Sequence, residues 1–130
     1  MTFYHFTAKR FLPSIMKQGL TRGVMVKSIN PISFIYNKQW ITKNSSFNQG
    51  WSIGTGILPY KRNEVRLTIE VPTNKMENCK PWSQMKFLCP LVAKDLEDSP
   101  LADPENWYIY QGEIKPQWIK QIDENEKGLE

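Results

Sequence analysis

Residues 63–72 read NEVRLTIEVP, and this stretch decides how the rest of the chain is interpreted. Its apolar side chains, Val65, Leu67, Ile69 and Val71, alternate with Arg66, Thr68 and Glu70. Alternation with a period of two predicts a β-strand that buries one face and leaves the other polar. Pro72 ends the strand, because proline cannot donate a ladder hydrogen bond. The chain must therefore supply further strands, and a layer that covers the apolar face.

Shorter apolar segments supply those strands. Strands are predicted at residues 3–6, in KQWITKN (38–44) and in the aromatic run WYIY (107–110), with a further short one at 32–36. The remainder of 21–37 is expected to be irregular, as is 73–104 apart from short elements near 85–92. Residues 45–61 are interpreted as a loop beside a cleft, and GEIKPQWIKQI (112–122) is expected to wrap onto the core.

One helix of about two turns is predicted after the first strand. Leu12, Ile15 and Met16 recur at helical spacing. Pro13 suits the first turn, where its missing N–H is not needed, and Gly19 suits the position just after the helix. Short scattered strands with one early helix predict an α+β domain built on antiparallel sheet. We place this single domain at 1–122 and expect residues 123–130 to form a polar tail.

Composition excludes several classes of protein. The apolar runs are only a few residues long, far below the roughly 18 that a membrane-spanning helix needs. The N-terminus lacks the basic and apolar segments of a secretory signal, so a cytoplasmic protein is expected. Cys79 and Cys89 are then interpreted as free thiols. One histidine and two distant cysteines do not form a zinc site.

Charge is distributed unevenly. The chain has 17 basic and 13 acidic residues, yet residues 1–75 contain only two acids, Glu64 and Glu70. This asymmetry predicts a basic face that attracts phosphate, with a solvated face that binds nothing as the alternative. The only histidine, His5, lies in YHFT (4–7). A lone histidine is by default a structural residue, so its position alone assigns no chemistry.

Several motifs occur in an order that resembles the ADP-ribosyltransferase superfamily. They are YHFT with the following LPSI and GL, then QWIT, VRLTIEVP and WYIYQGEIKPQWI. The small prokaryotic members that modify thymidine in DNA are most similar, and the RNA 2′-phosphotransferases are more distant. The resemblance implies an ADP-ribosyltransferase-like split antiparallel β-sandwich with one early helix. It also implies that NAD, as co-substrate, binds between the two sheets.

The resemblance assigns expected roles to individual residues. His5 would hold a ribose hydroxyl, Phe6 would offer backbone groups to the nicotinamide amide, and Thr7 would assist. Trp40 would stack on the nicotinamide, with Thr42 on the same strand. The remaining residues expected to line the pocket are Trp51, Ser45 and Ser46. Lys9, Arg10 and Arg22 are expected near the diphosphate.

The catalytic acid is left open among three positions. Glu105 and Asn106 precede the WYIY strand, and Glu113 follows it. Alternation places Glu105 with Trp107 and Asn106 with Tyr108, so these two point to opposite faces. A carboxylate would stabilise the positive charge that develops on the ribose and accept a proton from the acceptor. With Asn106 in that position the carboxylate would be absent.

The expected function is NAD-dependent mono-ADP-ribosyl transfer to a nucleic acid or protein acceptor, as a toxin or an effector in conflicts between phage and host. Single-stranded nucleic acid is the favoured acceptor, because its bases are already exposed. Three alternatives remain: a non-catalytic module that binds NAD, ADP-ribose or nucleic acid, an enzyme like the RNA 2′-phosphotransferases, and a basic RNA- or DNA-binding domain with no link to NAD. None of these requires a metal or a membrane.

Overall fold

A computed structural model describes residues 1–49 and 62–125 of the chain. Its eight strands are β1 (Thr2–Thr7), β2 (Val24–Ile29), β3 (Ile32–Tyr36), β4 (Lys38–Thr42), β5 (Val65–Glu70), β6 (Cys79–Pro81), β7 (Trp107–Gln111) and β8 (Ile119–Glu124). Its three helices are α1 (Leu12–Gln18), α2 (Trp82–Met85) and α3 (Pro90–Glu97). Short 3₁₀ turns connect several of these elements.

The strands form one six-stranded antiparallel sheet and one separate hairpin. The order in the large sheet is β6-β7-β4-β1-β5-β8, and β2 pairs with β3 in the hairpin. Every neighbouring pair of strands is antiparallel. The predicted α+β class with antiparallel sheet is therefore confirmed.

Strand β5 has the predicted alternation. Val65, Leu67 and Ile69 are fully buried, whereas Arg66, Thr68 and Glu70 are partly exposed. β5 pairs with β1 along its whole length, from Thr2 opposite Glu70 to Thr7 opposite Val65. On its other side it pairs with β8. β5, the strand with the clearest pattern in the sequence, thus lies between β1 and β8, the first and last strands of the described chain.

Strands β1 and β4 are joined far more loosely. They pair only where Tyr4 lies opposite Thr42. Continuation of this antiparallel register would bring Phe6 opposite Trp40, but no such pair forms. Because the two strands diverge beyond Tyr4, the sheet opens between β1 and β4.

Two hydrophobic clusters cover the two faces of the large sheet. The first packs Phe3, Leu67 and Ile69 against Ile15 of α1 and Trp118. The second contains Met25, Trp82, Met85, Cys89, Trp107 and Ile109, and is covered by α2, α3 and β2. Trp107 and Ile109 therefore face the opposite side of β7 from Tyr110, as the period of a strand requires.

The helix after β1 forms as predicted. Pro13 lies in its first turn, and Gly19 follows its last residue with a φ of 82°. A Cβ at Gly19 would lie 2.0 Å from the carbonyl oxygen of Ile114, so this position requires glycine. Leu20 and Ile114 form a β-bridge just beyond it.

Several expectations differ from the structure. Residues 79–81 form β6, which pairs with β7, in a segment expected to be irregular, and α2 and α3 are helices in addition to the one early helix that was predicted. Residues 24–29 form β2 rather than irregular chain, because they pair with β3 and bury Met25 against the second cluster. Residues 119–124 form β8, so the expected domain end at residue 122 falls within a strand. The basic half of the sequence is not a uniform basic face, because Lys9 pairs with Glu124 and Arg66 with Asp123 across the β5–β8 edge.

Candidate functional site

His5 lies where β1 and β4 separate. Its Nδ1 is 2.7 Å from the main-chain oxygen of Trp40. Because that oxygen can only accept, the ring carries its proton on Nδ1 and donates it to Trp40. The His5 side chain thus spans the gap between β1 and β4. It donates to the Trp40 carbonyl at a point where the two strands no longer pair with each other.

The protein environment favours the neutral form of this imidazole. Burial lowers the pKa of His5 below its ordinary value of 6.5, and the hydrogen bond to Trp40 offsets that effect only in part. With Nδ1 occupied by the proton, the lone pair of Nε2 is available as an acceptor. A neutral ring in this tautomer can receive a hydrogen bond from a ligand hydroxyl without adding charge.

A cavity of about 240 Å³ opens beside His5 on the second-cluster face of the sheet. Its walls are mainly aromatic and apolar, and one cation reaches it. The described residues that line it are Tyr4, His5, Phe6, Trp40, Ile41, Thr42, Arg62, Leu96 and Trp107. Apolar walls with few polar groups are typical of sites that bind flat ring systems.

The indole of Trp40 is held in a fixed position in this cavity. Its Nε1 donates to the Val24 carbonyl on β2 at 2.9 Å. The ring packs against Trp82 and Trp107, with centroid separations of 5.2 and 6.2 Å. The hairpin and α2 therefore orient the aromatic wall, although both lie outside the large sheet.

A second, more polar cavity of about 380 Å³ lies beside α1. His5 lines this cavity too, so the two cavities meet at the opening between β1 and β4. Its polar lining groups come from Thr7, Ser14, Thr21, Arg22 and Gln39. Gln39 is buried and ties two loops together, since its Oε1 accepts from the Gly23 N–H and its Nε2 donates to the Gly112 carbonyl.

The loop after β4 is stabilised by polar contacts from β5, from Asp103 before β7, and from within the loop itself. Asn44 donates to Asp103 at 2.7 Å, and the Ser45 carbonyl accepts from Arg66 at 2.7 Å. Gln49 is buried and donates to the carbonyls of Asn44 and Ser46. These bonds hold the loop near β1, where Phe47 contacts Phe6, a residue that lines the aromatic cavity.

Most of the residues predicted from the N-terminal motif and from QWIT come together. His5, Phe6, Trp40 and Thr42 line the aromatic cavity, and Thr7 lines the polar one. Ser45 and Ser46 are exposed on the loop and line neither cavity. Trp51 lies outside the described residues.

The three positions for the acid lie away from the cavity walls. Glu105 is exposed in the turn before β7, and Glu113 is exposed just after that strand. Asn106 donates to Asp103, and its carbonyl accepts from the Lys43 N–H. Within residues 1–49 and 62–125, no carboxylate lines either cavity.

Several site residues were missed from the sequence. Arg62 and Leu96 line the aromatic cavity, and Asp103 accepts from the side chains of Asn44, Asn106 and Trp107. Asp103 lies in the segment expected to be irregular, and it accepts from groups up to 59 positions away. A single Arg or Asp between two elements carries no periodic signal from which such a role could be read.

Within the described part of the chain, no cluster of His, Cys, Asp or Glu side chains has the geometry to hold a metal ion. None of the helices there is long and apolar enough to span a bilayer. Comparison of the chain with models of protein families, with curated proteins and with solved structures found no match.

Proposed function

We propose that this protein binds NAD at the opening between β1 and β4 and transfers ADP-ribose to an acceptor. The observation that carries the proposal is the position of His5, which spans the opening between β1 and β4 and lines both cavities. The aromatic cavity suits the flat nicotinamide ring. The polar cavity, with Arg22 and Ser14, suits the remainder of the dinucleotide.

The chemistry follows from the neutral state of His5. Its Nε2 accepts a hydrogen bond from a ribose hydroxyl and so orients the sugar between the cavities. Nicotinamide departs with the electron pair of its bond to the ribose. The acceptor supplies the pair for the new bond and releases its proton to water or to a carboxylate base. A second positive charge on His5 would oppose the charge that builds on the ribose, so the lowered pKa favours the reaction.

A nucleic acid acceptor is favoured by the β2–β3 hairpin. Phe34 and Tyr36 point to the same side of β3 with ring centroids 6.2 Å apart, and 70% of the Tyr36 surface is exposed. Lys27 is exposed on the neighbouring strand. Exposed aromatic rings beside cations are a means by which proteins hold single-stranded bases without reading their sequence.

Release of nicotinamide from NAD tests the proposal. The protein is incubated with NAD alone, with single-stranded DNA, with RNA and with a protein extract, and free nicotinamide and acceptor-bound ADP-ribose are measured. We expect release that depends on an acceptor and falls at least about a hundredfold in His5→Ala. Lys120→Ala, an exposed change on β8 that lines neither cavity, serves as the control.

Two further variants test which glutamate acts as the catalytic acid. If Glu105 acts at the ribose, Glu105→Gln loses turnover while Glu113→Gln keeps it, and the reverse holds if Glu113 acts. Turnover that survives both changes assigns the role to neither residue. If wild-type protein neither binds NAD nor releases nicotinamide with any acceptor, the proposal is wrong.

The cavity lining favours a second candidate function, a module that binds NAD or ADP-ribose without turnover. Its support is that no carboxylate among the described residues lines either cavity. Thermal stabilisation by NAD or ADP-ribose without nicotinamide release would support this function. A parallel incubation of the protein with NAD and an RNA that carries a 2′-phosphate tests for phosphate transfer. Transfer would appear as loss of the 2′-phosphate from the RNA.

A further inference from the structure

Arg62 is the only charged side chain among the described residues that line the aromatic cavity. It is partly buried, three positions before Val65, the first residue of β5, and its Nε is buried without a hydrogen-bond partner. No ion pair joins its guanidinium to an acid within residues 1–49 and 62–125. The positive charge of Arg62 therefore faces the aromatic cavity, and no acid among the described residues pairs with it.

Arg66, four positions along the chain, shows how this protein satisfies another guanidinium. Arg66 donates to the Ser45 carbonyl and to Asp123, and its charge lies over the rings of Tyr4 and Phe47. Its Nε is also without a partner, but the rest of the group is bound on two sides. Among the residues that the structure describes, the guanidinium of Arg62 has no equivalent set of contacts.

Burial of the Arg62 Nε without a partner is unfavourable, because this N–H group loses water and gains no hydrogen bond in exchange. An anion bound in the cavity would remove this cost. Guanidinium groups favour phosphate and carboxylate, which accept two parallel hydrogen bonds. Since the rest of the cavity is aromatic, the ligand should join an anion to a flat ring.

We propose that Arg62 is the phosphate-binding residue of the aromatic cavity, and that the cavity takes a nucleotide rather than a bare ring or a nucleoside. The nicotinamide ring of NAD carries a positive charge, so it would be repelled by Arg62 unless a phosphate lay between them. The phosphate has two possible sources, the NAD donor or a nucleotide of the acceptor strand. The donor source rests on the proposed function, whereas the acceptor source does not.

Paired ligands that differ by one phosphate test this inference. The first pair is nicotinamide riboside and nicotinamide mononucleotide, and the second is thymidine and thymidine 5′-monophosphate. Binding is followed by quenching of tryptophan fluorescence, because Trp40 and Trp107 line the cavity. In the wild-type protein we expect the phosphate to tighten binding about tenfold in at least one pair.

Three variants separate a specific contact from a general effect of charge. Arg62→Gln should reduce the phosphate advantage to about twofold or less, and Arg62→Lys should retain part of it, because lysine keeps the charge without the planar fork. Lys17→Gln removes the same charge from an exposed position of α1 and should leave the advantage intact. Circular dichroism and the rescue by lysine show that any loss is not a loss of fold.

The pattern across the two pairs decides the source. Loss of the advantage only in the nicotinamide pair assigns Arg62 to the donor phosphate, and loss only in the thymidine pair assigns it to the acceptor. If the thymidine pair responds while neither nicotinamide compound binds, the inference stands and the proposed donor site does not. The inference is overturned if the wild type shows no phosphate advantage, or if Arg62→Gln leaves that advantage unchanged.

Discussion

The ring of His5 donates from Nδ1 to the carbonyl oxygen of Trp40, at 2.7 Å, across the gap where β1 and β4 part. This bond fixes the tautomer of the ring and the separation of two strands at the same time. It also explains why the aromatic and polar cavities share a wall. Any change in the charge or shape of this ring should therefore affect stability and ligand binding together.

Protonation of His5 should destabilise the fold. Because burial lowers the native pKa below 6.5, the unfolded chain takes up the proton first as the pH falls. The contribution of His5 to the free energy of unfolding is therefore complete above about pH 6.5 and is lost as the pH falls from there to the native pKa.

Urea unfolding of wild type and of His5→Asn between about pH 5 and 7.5 measures this effect. The acids of the chain titrate in both proteins, so the difference between the two profiles isolates His5. An equal pH dependence in both proteins would show that the ring is not desolvated.

Asp103→Asn should destabilise the protein and loosen the loop after β4. Asp103 accepts from Asn44 and Asn106 through Oδ2 and from the Trp107 indole through Oδ1. An amide in its place would turn an NH₂ group toward these donors, at a cost of about 2 kcal/mol in the free energy of unfolding. Faster amide exchange of residues 44 and 46 should accompany this loss.

The matched control is Asp98→Asn, which breaks only the exposed pair with Lys94 on α3. Exposed pairs of this type contribute about 0.5 kcal/mol or less. Equal costs for the two changes would mean that Asp103 is not the centre of a network.

Gly19→Ala should be among the most destabilising single changes. The φ of 82° disfavours any side chain, and the new Cβ would lie 2.0 Å from the Ile114 carbonyl oxygen. Gly112→Ala is a matched control, because Gly112 also has a positive φ, 131°, but its Cβ would come no nearer than 3.5 Å to the ring of Tyr110. We expect a cost of about 1–3 kcal/mol at Gly112 from backbone strain and a larger cost at Gly19.

Thermal or urea unfolding of the two variants measures the difference, which reports the clash alone. If Gly112→Ala proved as costly as Gly19→Ala, the bridge between Leu20 and Ile114 would not be the rigid contact that the structure shows.

Both thiols should be unreactive in the native protein. Cys79 and Cys89 are free and buried, and burial raises the pKa of the Cys79 thiol to about 11. Burial also raises the pKa of Cys89. Because the thiolate is the reactive form, Ellman's reagent should label neither residue at neutral pH and both in guanidinium chloride.

The two cysteines belong to different hydrophobic clusters, one on each face of the sheet. Their labelling on partial unfolding should therefore report on the two faces separately. Fast labelling of either thiol in the native protein would contradict its burial.

Local signals were sufficient for the elements nearest the site. Strand β5 follows from alternation, and α1 follows from the spacing of Leu12 and Ile15 with Pro13 and Gly19 at its ends. β2 and β8 were missed because each depends on a partner strand. β8 leaves most of its side chains exposed, so its sequence has no apolar period to read.

The sequence by itself determined that β5 is a half-buried strand, that a short helix follows the first strand, and that the lone histidine stands near that helix. These features depend on side chains that are close along the chain, where periodicity and turn chemistry act. Only the tertiary structure decided that β1 and β4 part, that His5 bridges them beside Trp40, and that Arg62 reaches the aromatic cavity. Those relationships join residues more than 20 positions apart, and their energies depend on burial and register, which no local pattern encodes.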